Sequence, residues 1–110
     1  MNYWRNEAEM DRGVIDALKG VVGDEAFAEM TKQFAVDLER LHQAYISARA
    51  CSDDRAAREA AHAIKGAASN IGLARLGMLA GLLESGNVDD EIELDPVFES
   101  ALKHLNTNAG

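Results

Sequence analysis

The sequence predicts an all-α fold, an antiparallel four-helix bundle with a short N-terminal capping helix. Three observations carry that expectation. Only one of the 110 residues is proline, and alanine, leucine, glutamate and arginine are abundant, so intrinsic propensity favours helix nearly throughout. Apolar residues recur at three- and four-residue steps over long stretches, the spacing of one helical face, and no strand candidate survives beside them. The periodic segments are separated by short links, which favours antiparallel neighbours.

Asp11 is placed to cap a first short helix over residues 11–22, with Val14, Ile15 and Leu18 on its apolar side. A long helix over 24–50 follows, carrying Phe27, Met30, Phe34, Leu38, Leu41 and Tyr45 at helical steps. Asp53 or Asp54 caps the next, over 54–71, whose apolar set is Ala57, Ala60, Ala61, Ile64, Ala67, Ala68 and Ile71. That face is narrow and made mostly of alanine, so a neighbouring helix can approach closely and this helix is expected to lie centrally in the bundle. Gly72 marks a tight turn into a helix over 73–86, built on Leu76, Leu79, Ala80 and Leu83 and antiparallel to its predecessor. After the acidic stretch 88–95, read as a solvated linker, Asp95 at the N-cap and Pro96 at the first helical position open a last helix over 96–107. Residues 1–110 form one domain in this reading, because two cores would each fall near the size where domains become marginal.

Composition narrows the classes of partner. A net charge of -8 disfavours nucleic acid, whose affinity for proteins comes largely from neutralised phosphates. The N-terminus lacks an apolar run after a basic start, and no stretch approaches the roughly 20 apolar residues that span a bilayer, so no membrane association and a cytoplasmic location are expected. The high net charge also favours a monomer. Cys51 is the single cysteine, which excludes an intramolecular disulfide. His42 and His104 sit in different helices without paired ligand spacing, so no metal site is expected.

The stretch "AHAIKGAASNIG" at 61–72 is harder to account for by packing alone. At about 100° per residue, His62 lies roughly 160° from Ile64 and faces water. Arg55, Arg58, Gly66 and Ser69 share its outer half, and Arg55, Arg58, Lys65 and Arg75 against Glu59 form a basic strip of +3 over residues 55–75. Side chains lean toward the helix N-terminus, so the surface over His62 is covered from positions 65 and 66. An exposed mid-helix glycine costs about 1 kcal/mol relative to alanine, and at Gly66 an open approach to the imidazole accounts for it. Lys65, reaching back over the same turn, places an ammonium beside any anion attached to the ring. If the chain turns about position 73, the residue level with His62 on the following helix is Glu84. A carboxylate there accepts a hydrogen bond from Nδ1, leaving the Nε2 lone pair outward as a nucleophile.

"AHAIKGAASNIG" followed by "LARLGMLAGLLE" is similar to the signature of histidine-containing phosphotransfer (HPt) domains: histidine, one residue, an aliphatic, Lys-Gly, two small residues, aliphatic-Gly, and Leu-Glu closing the next helix. The resemblance implies that His62 is phosphorylated, that Lys65 stabilises the phosphoryl group, that Gly66 gives access and that Glu84 orients the imidazole. It further implies a phosphorelay intermediate that takes a phosphoryl group from a receiver-domain aspartyl phosphate and passes it to another receiver. Response-regulator receivers and a hybrid histidine kinase are then the expected partners. The chain needs no cofactor of its own, with Mg²⁺ on the partner receiver, and it lacks a nucleotide loop with which to use ATP. Glycines at 77 and 81 depart from the pattern and are expected to widen the outer surface of their helix for a partner. Arg55, Arg58 and Ser69, with Val14 and Leu18 at the rim, complete the expected docking face. The alternative is a non-catalytic helical module that binds a kinase or regulator with the histidine unused.

Overall fold

Helix ends are set by residues that satisfy the backbone groups a helix leaves unpaired. A computed structural model describes residues 3–109, and within them every regular element is helical. α1 spans Arg12–Val22, α2 Asp24–Ala50, α3 Asp54–Asn70, α4 Ala74–Glu84 and α5 Leu94–Ala109, with 3-10 turns at Tyr3–Asn6 and Glu91–Glu93. The Asp11 side chain accepts from the Val14 N–H, and the Asp53 side chain from the Ala56 N–H, opening α1 and α3. Each such cap contributes about 1 kcal/mol.

Gly72 is the hinge on which the arrangement rests. Its φ of +81° lies in the left-handed region, and a Cβ there would stand 3.0 Å from Ile15 Cγ1 and 3.1 Å from the Asp11 carbonyl oxygen. Conformation and space both require glycine. The Gly72 carbonyl in turn accepts from the Asp11 N–H at 2.7 Å, which pins the start of α1 to the α3–α4 turn.

Three cross-contacts fix the register of α3 against α4. His62 meets Glu84, the Lys65 stem meets Gly81, and Ser69 meets Gly77. Each pair is equidistant from Leu73, so these two helices run antiparallel about that position. α2 packs on α3 and α5, and α4 packs on α3 and α5, so α2, α3, α4 and α5 close a ring around the core. Phe27, Leu38, Ile64, Leu76, Leu79 and Leu105 are fully buried in it. α3 presents Ala57, Ala60, Ala61 and Ala68 to that core, the small side chains its two packed neighbours require.

The structure departs from the sequence reading at the chain's end segments. α4 stops at Glu84, and α5 begins at Leu94, so Pro96 is its third residue. The stretch 88–95 is not a bare solvated linker. Asp90 accepts from Trp4 Nε1 at 2.9 Å, and Glu91 accepts from Tyr45 Oη at 2.8 Å and from Arg49 Nε at 2.6 Å. Trp4 itself is buried, carried onto α4 by the N-terminal 3-10 turn. A loop that was expected to be solvated therefore clasps α2 and the N-terminus.

Candidate functional site

The site is built on facing residues of α3 and α4, one turn above the level of Gly81. The His62 side chain is 70% exposed, and its Nδ1 lies 3.0 Å from both carboxylate oxygens of Glu84. Lys65 Nζ stands 3.4 Å from Glu84 Oε2. One carboxylate thus holds the imidazole and the ammonium together.

Electrostatics assigns the tautomer. The hydrogen bond from His62 holds the Glu84 carboxyl below its ordinary value, against an opposing effect of burial, and Lys65 adds to the lowering. At neutral pH Glu84 is therefore ionised and can only accept. With Nδ1 donating to that carboxylate, the lone pair of a neutral ring lies on Nε2, which meets no partner among the described residues. Gly66 faces open space, for a Cβ built there meets nothing within 4 Å. The ring is held on one nitrogen and unobstructed on the other, the arrangement a nitrogen nucleophile needs.

The other expected residues divide. Arg55, Arg58, His62 and Glu84 line one shallow groove, with Glu59 at its edge. Arg55 is spent on Glu59 at 3.3 Å, whereas Arg58 has no ion-pair partner among the described residues. Ser69 is exposed on the same helix. Val14 and Leu18 are half-buried, and α1 is anchored at the Gly72 turn, about 15 Å along α3 from His62 at 1.5 Å per residue. Leu18 packs against the core.

Three expectations are corrected. Arg75 does not join the basic strip, because it turns to the N-terminal segment, where Nη1 is 3.0 Å from Glu9 and Nε donates to the Glu7 carbonyl. Gly77 offers no outer surface: it is buried, and a Cβ there would stand 3.0 Å from Ser69 Oγ and 3.8 Å from the Lys65 carbonyl oxygen. It is a point of close contact between α3 and α4, not a docking position. Gly81 is half-buried beneath the Lys65 side chain, so it too faces α3 rather than a partner.

His42 sits at the boundary of the core, packed on its ring face. Its side chain is 14% exposed, its ring stacks on Phe98 with centroids 4.2 Å apart, and Nε2 lies 2.7 Å from Asp95. No periodicity announces that pairing, since its partners arrive from a helix more than fifty residues away. Among the described residues no cluster of three or more His, Cys, Asp or Glu is placed to hold a metal ion, and no helix is long and apolar enough to cross a membrane.

A family model, described as Hpt domain, matches residues 25–108. No curated protein and no solved structure matches the chain.

Proposed function

The chain belongs to the Hpt domain family, whose members carry phosphoryl groups on histidine in phosphorelay signalling, and from that premise we propose that His62 is the phosphoacceptor. The observation that carries the reading is the contact of His62 Nδ1 with the Glu84 carboxylate on an otherwise open ring. The Nε2 lone pair attacks the phosphorus of a receiver's aspartyl phosphate in line, the bond from phosphorus to the aspartyl oxygen breaks, and the receiver recovers its carboxylate. Nδ1 keeps its proton throughout. The ring becomes cationic as the N–P bond forms, and Glu84 balances that charge at 3.0 Å. Passing the group on is the same step reversed toward a second receiver.

Lys65 supplies the cation for the phosphoryl oxygens, and Gly66 leaves the volume they occupy. Arg58, unpaired in the groove beside His62, is suited to meet the acidic pocket of a receiver, which brings its own Mg²⁺. The family's partners are receiver domains and kinases, and the proposed setting is the cytoplasm. The chain acts as a carrier, not as a kinase.

The test is incubation with a phosphorylated receiver, following transfer of label. Acid-labile, base-stable phosphate on the wild-type chain, and none on His62→Gln, is expected. Label that persists on His62→Gln refutes the assignment, and a receiver that binds without any transfer favours the non-catalytic module.

A further inference from the structure

The half-buried glycine of α4 has a use that neither helix stability nor docking provides. Alanine is the better helix former, yet glycine stands at position 81, in the last turn of α4. The space it leaves is filled. A Cβ built on Gly81 would stand 3.2 Å from Lys65 Cδ, closer than ordinary carbon contact, and nothing else comes within 4 Å of it.

The direction in which side chains lean explains the meeting. On α4, Glu84 leans back over the turn that contains Gly81, and on α3, Lys65 leans back toward His62. Because the helices are antiparallel, the two side chains cross above position 81, and Lys65 Nζ ends 3.4 Å from Glu84 Oε2. We propose that Gly81 is a positioning residue: its missing side chain is the floor on which the Lys65 stem lies, and this sets the ammonium beside the carboxylate that holds His62. The inference rests on the proposed phosphotransfer role for its consequence, since the same seat brings the ammonium within reach of a phosphoryl group on Nε2.

In the unphosphorylated chain Lys65 is parked on Glu84, and it needs only to rotate its outer carbons to face the phosphoryl oxygens. With a methyl group at 81 the Lys65 stem must give by a few tenths of an ångström, away from α4. The ammonium then leaves Glu84 and loses its aim at the reacting nitrogen.

Gly81→Ala, Lys65→Ala and the double variant test this. The Glu84 carboxyl titration is followed by carbon-detected NMR, and transfer from a phosphorylated receiver is timed alongside. In Gly81→Ala the Glu84 midpoint is expected to move up as far as in Lys65→Ala, and transfer to slow about 2- to 5-fold, the range for a partly exposed charge pair. The double variant should match Lys65→Ala in both readouts, with a melting temperature no lower than that of Lys65→Ala. A Glu84 midpoint unchanged by Gly81→Ala overturns the inference, as does equal slowing by Gly81→Ala when Lys65 is already absent. If the wild-type chain accepts no phosphate, the phosphotransfer reading fails by itself, and the titration still decides whether Gly81 seats the lysine.

Discussion

His62 and His42 are each held by a carboxylate from another helix, and the two pairs have opposite consequences. Glu84 takes Nδ1 of a ring that is otherwise open, whereas Asp95 takes Nε2 of a ring stacked flat on Phe98. The carboxylate at His62 is mostly covered and shared with a lysine, while Asp95 is largely exposed. Which ring nitrogen is occupied, and what lies against the ring face, decides whether an imidazole is left open to solvent or serves as a packing piece. A carboxylate neighbour by itself says nothing about reactivity.

Replacing each carboxylate should break the comparison most sharply. Glu84→Ala frees Nδ1 and lets the tautomer equilibrate, and transfer is expected to fall about 10- to 100-fold, the range for removing a partner that orients a working histidine. Asp95→Ala should leave the transfer rate at the wild-type value, measured with the same phosphorylated receiver. A loss of transfer in Asp95→Ala would show that the two pairs are coupled through the bundle.

His42→Ala is expected to act on stability alone. It removes the stack on Phe98 and a hydrogen bond that solvent screens, so the ring contact carries most of a cost of about 1–2 kcal/mol. The melting temperature should drop by several degrees, read by circular dichroism, with phosphoryl acceptance at His62 retained. A variant that melts normally would show that the stack on Phe98 adds nothing to stability.

The smallest expected effect is a pH dependence that belongs to the clasp on the far side of α2. Burial alone would raise the Glu91 carboxyl, but the hydrogen bonds from Arg49 and Tyr45 outweigh it and hold it below its ordinary 4.5. Its contribution is therefore complete above pH 4.5 and is lost as pH falls through the lowered value. Burial, with help from Glu91, raises the Tyr45 phenol above its ordinary 10.0, so that contribution is complete below pH 10.0 and disappears as pH rises through the raised value. Denaturant melts across pH should show both limbs, and Glu91→Gln should flatten the acid one. An acid limb of unchanged steepness in Glu91→Gln would assign it to other carboxylates.

Much of the site could be read from one dimension because its geometry is a matter of counting. His62 falls outward from the period of Ile64 and its alanines, and a turn about position 73 puts Glu84 level with it. Gly66 and Gly77 are both glycines within helices, yet one opens to solvent and the other is buried against Ser69. Nothing in the residue type separates them. The rotation of α4 about its own axis does, and that rotation follows from which of its sides the core leucines claim.

The sequence by itself determined the helices, the Asp11 and Asp53 caps, the Gly72 turn and, through that turn, the meeting of His62 with Glu84. These follow from local rules: a period of 3.6 residues, side chains that cap within three residues, and one backbone conformation that glycine tolerates best. Tertiary structure alone decided that Arg75 leaves the basic strip for Glu9, that Trp4 reaches Asp90, that Glu91 gathers Tyr45 and Arg49, and that Gly81 lies under Lys65. Those partners come from distant segments or from a face chosen by packing, and no local pattern records where the chain returns to itself.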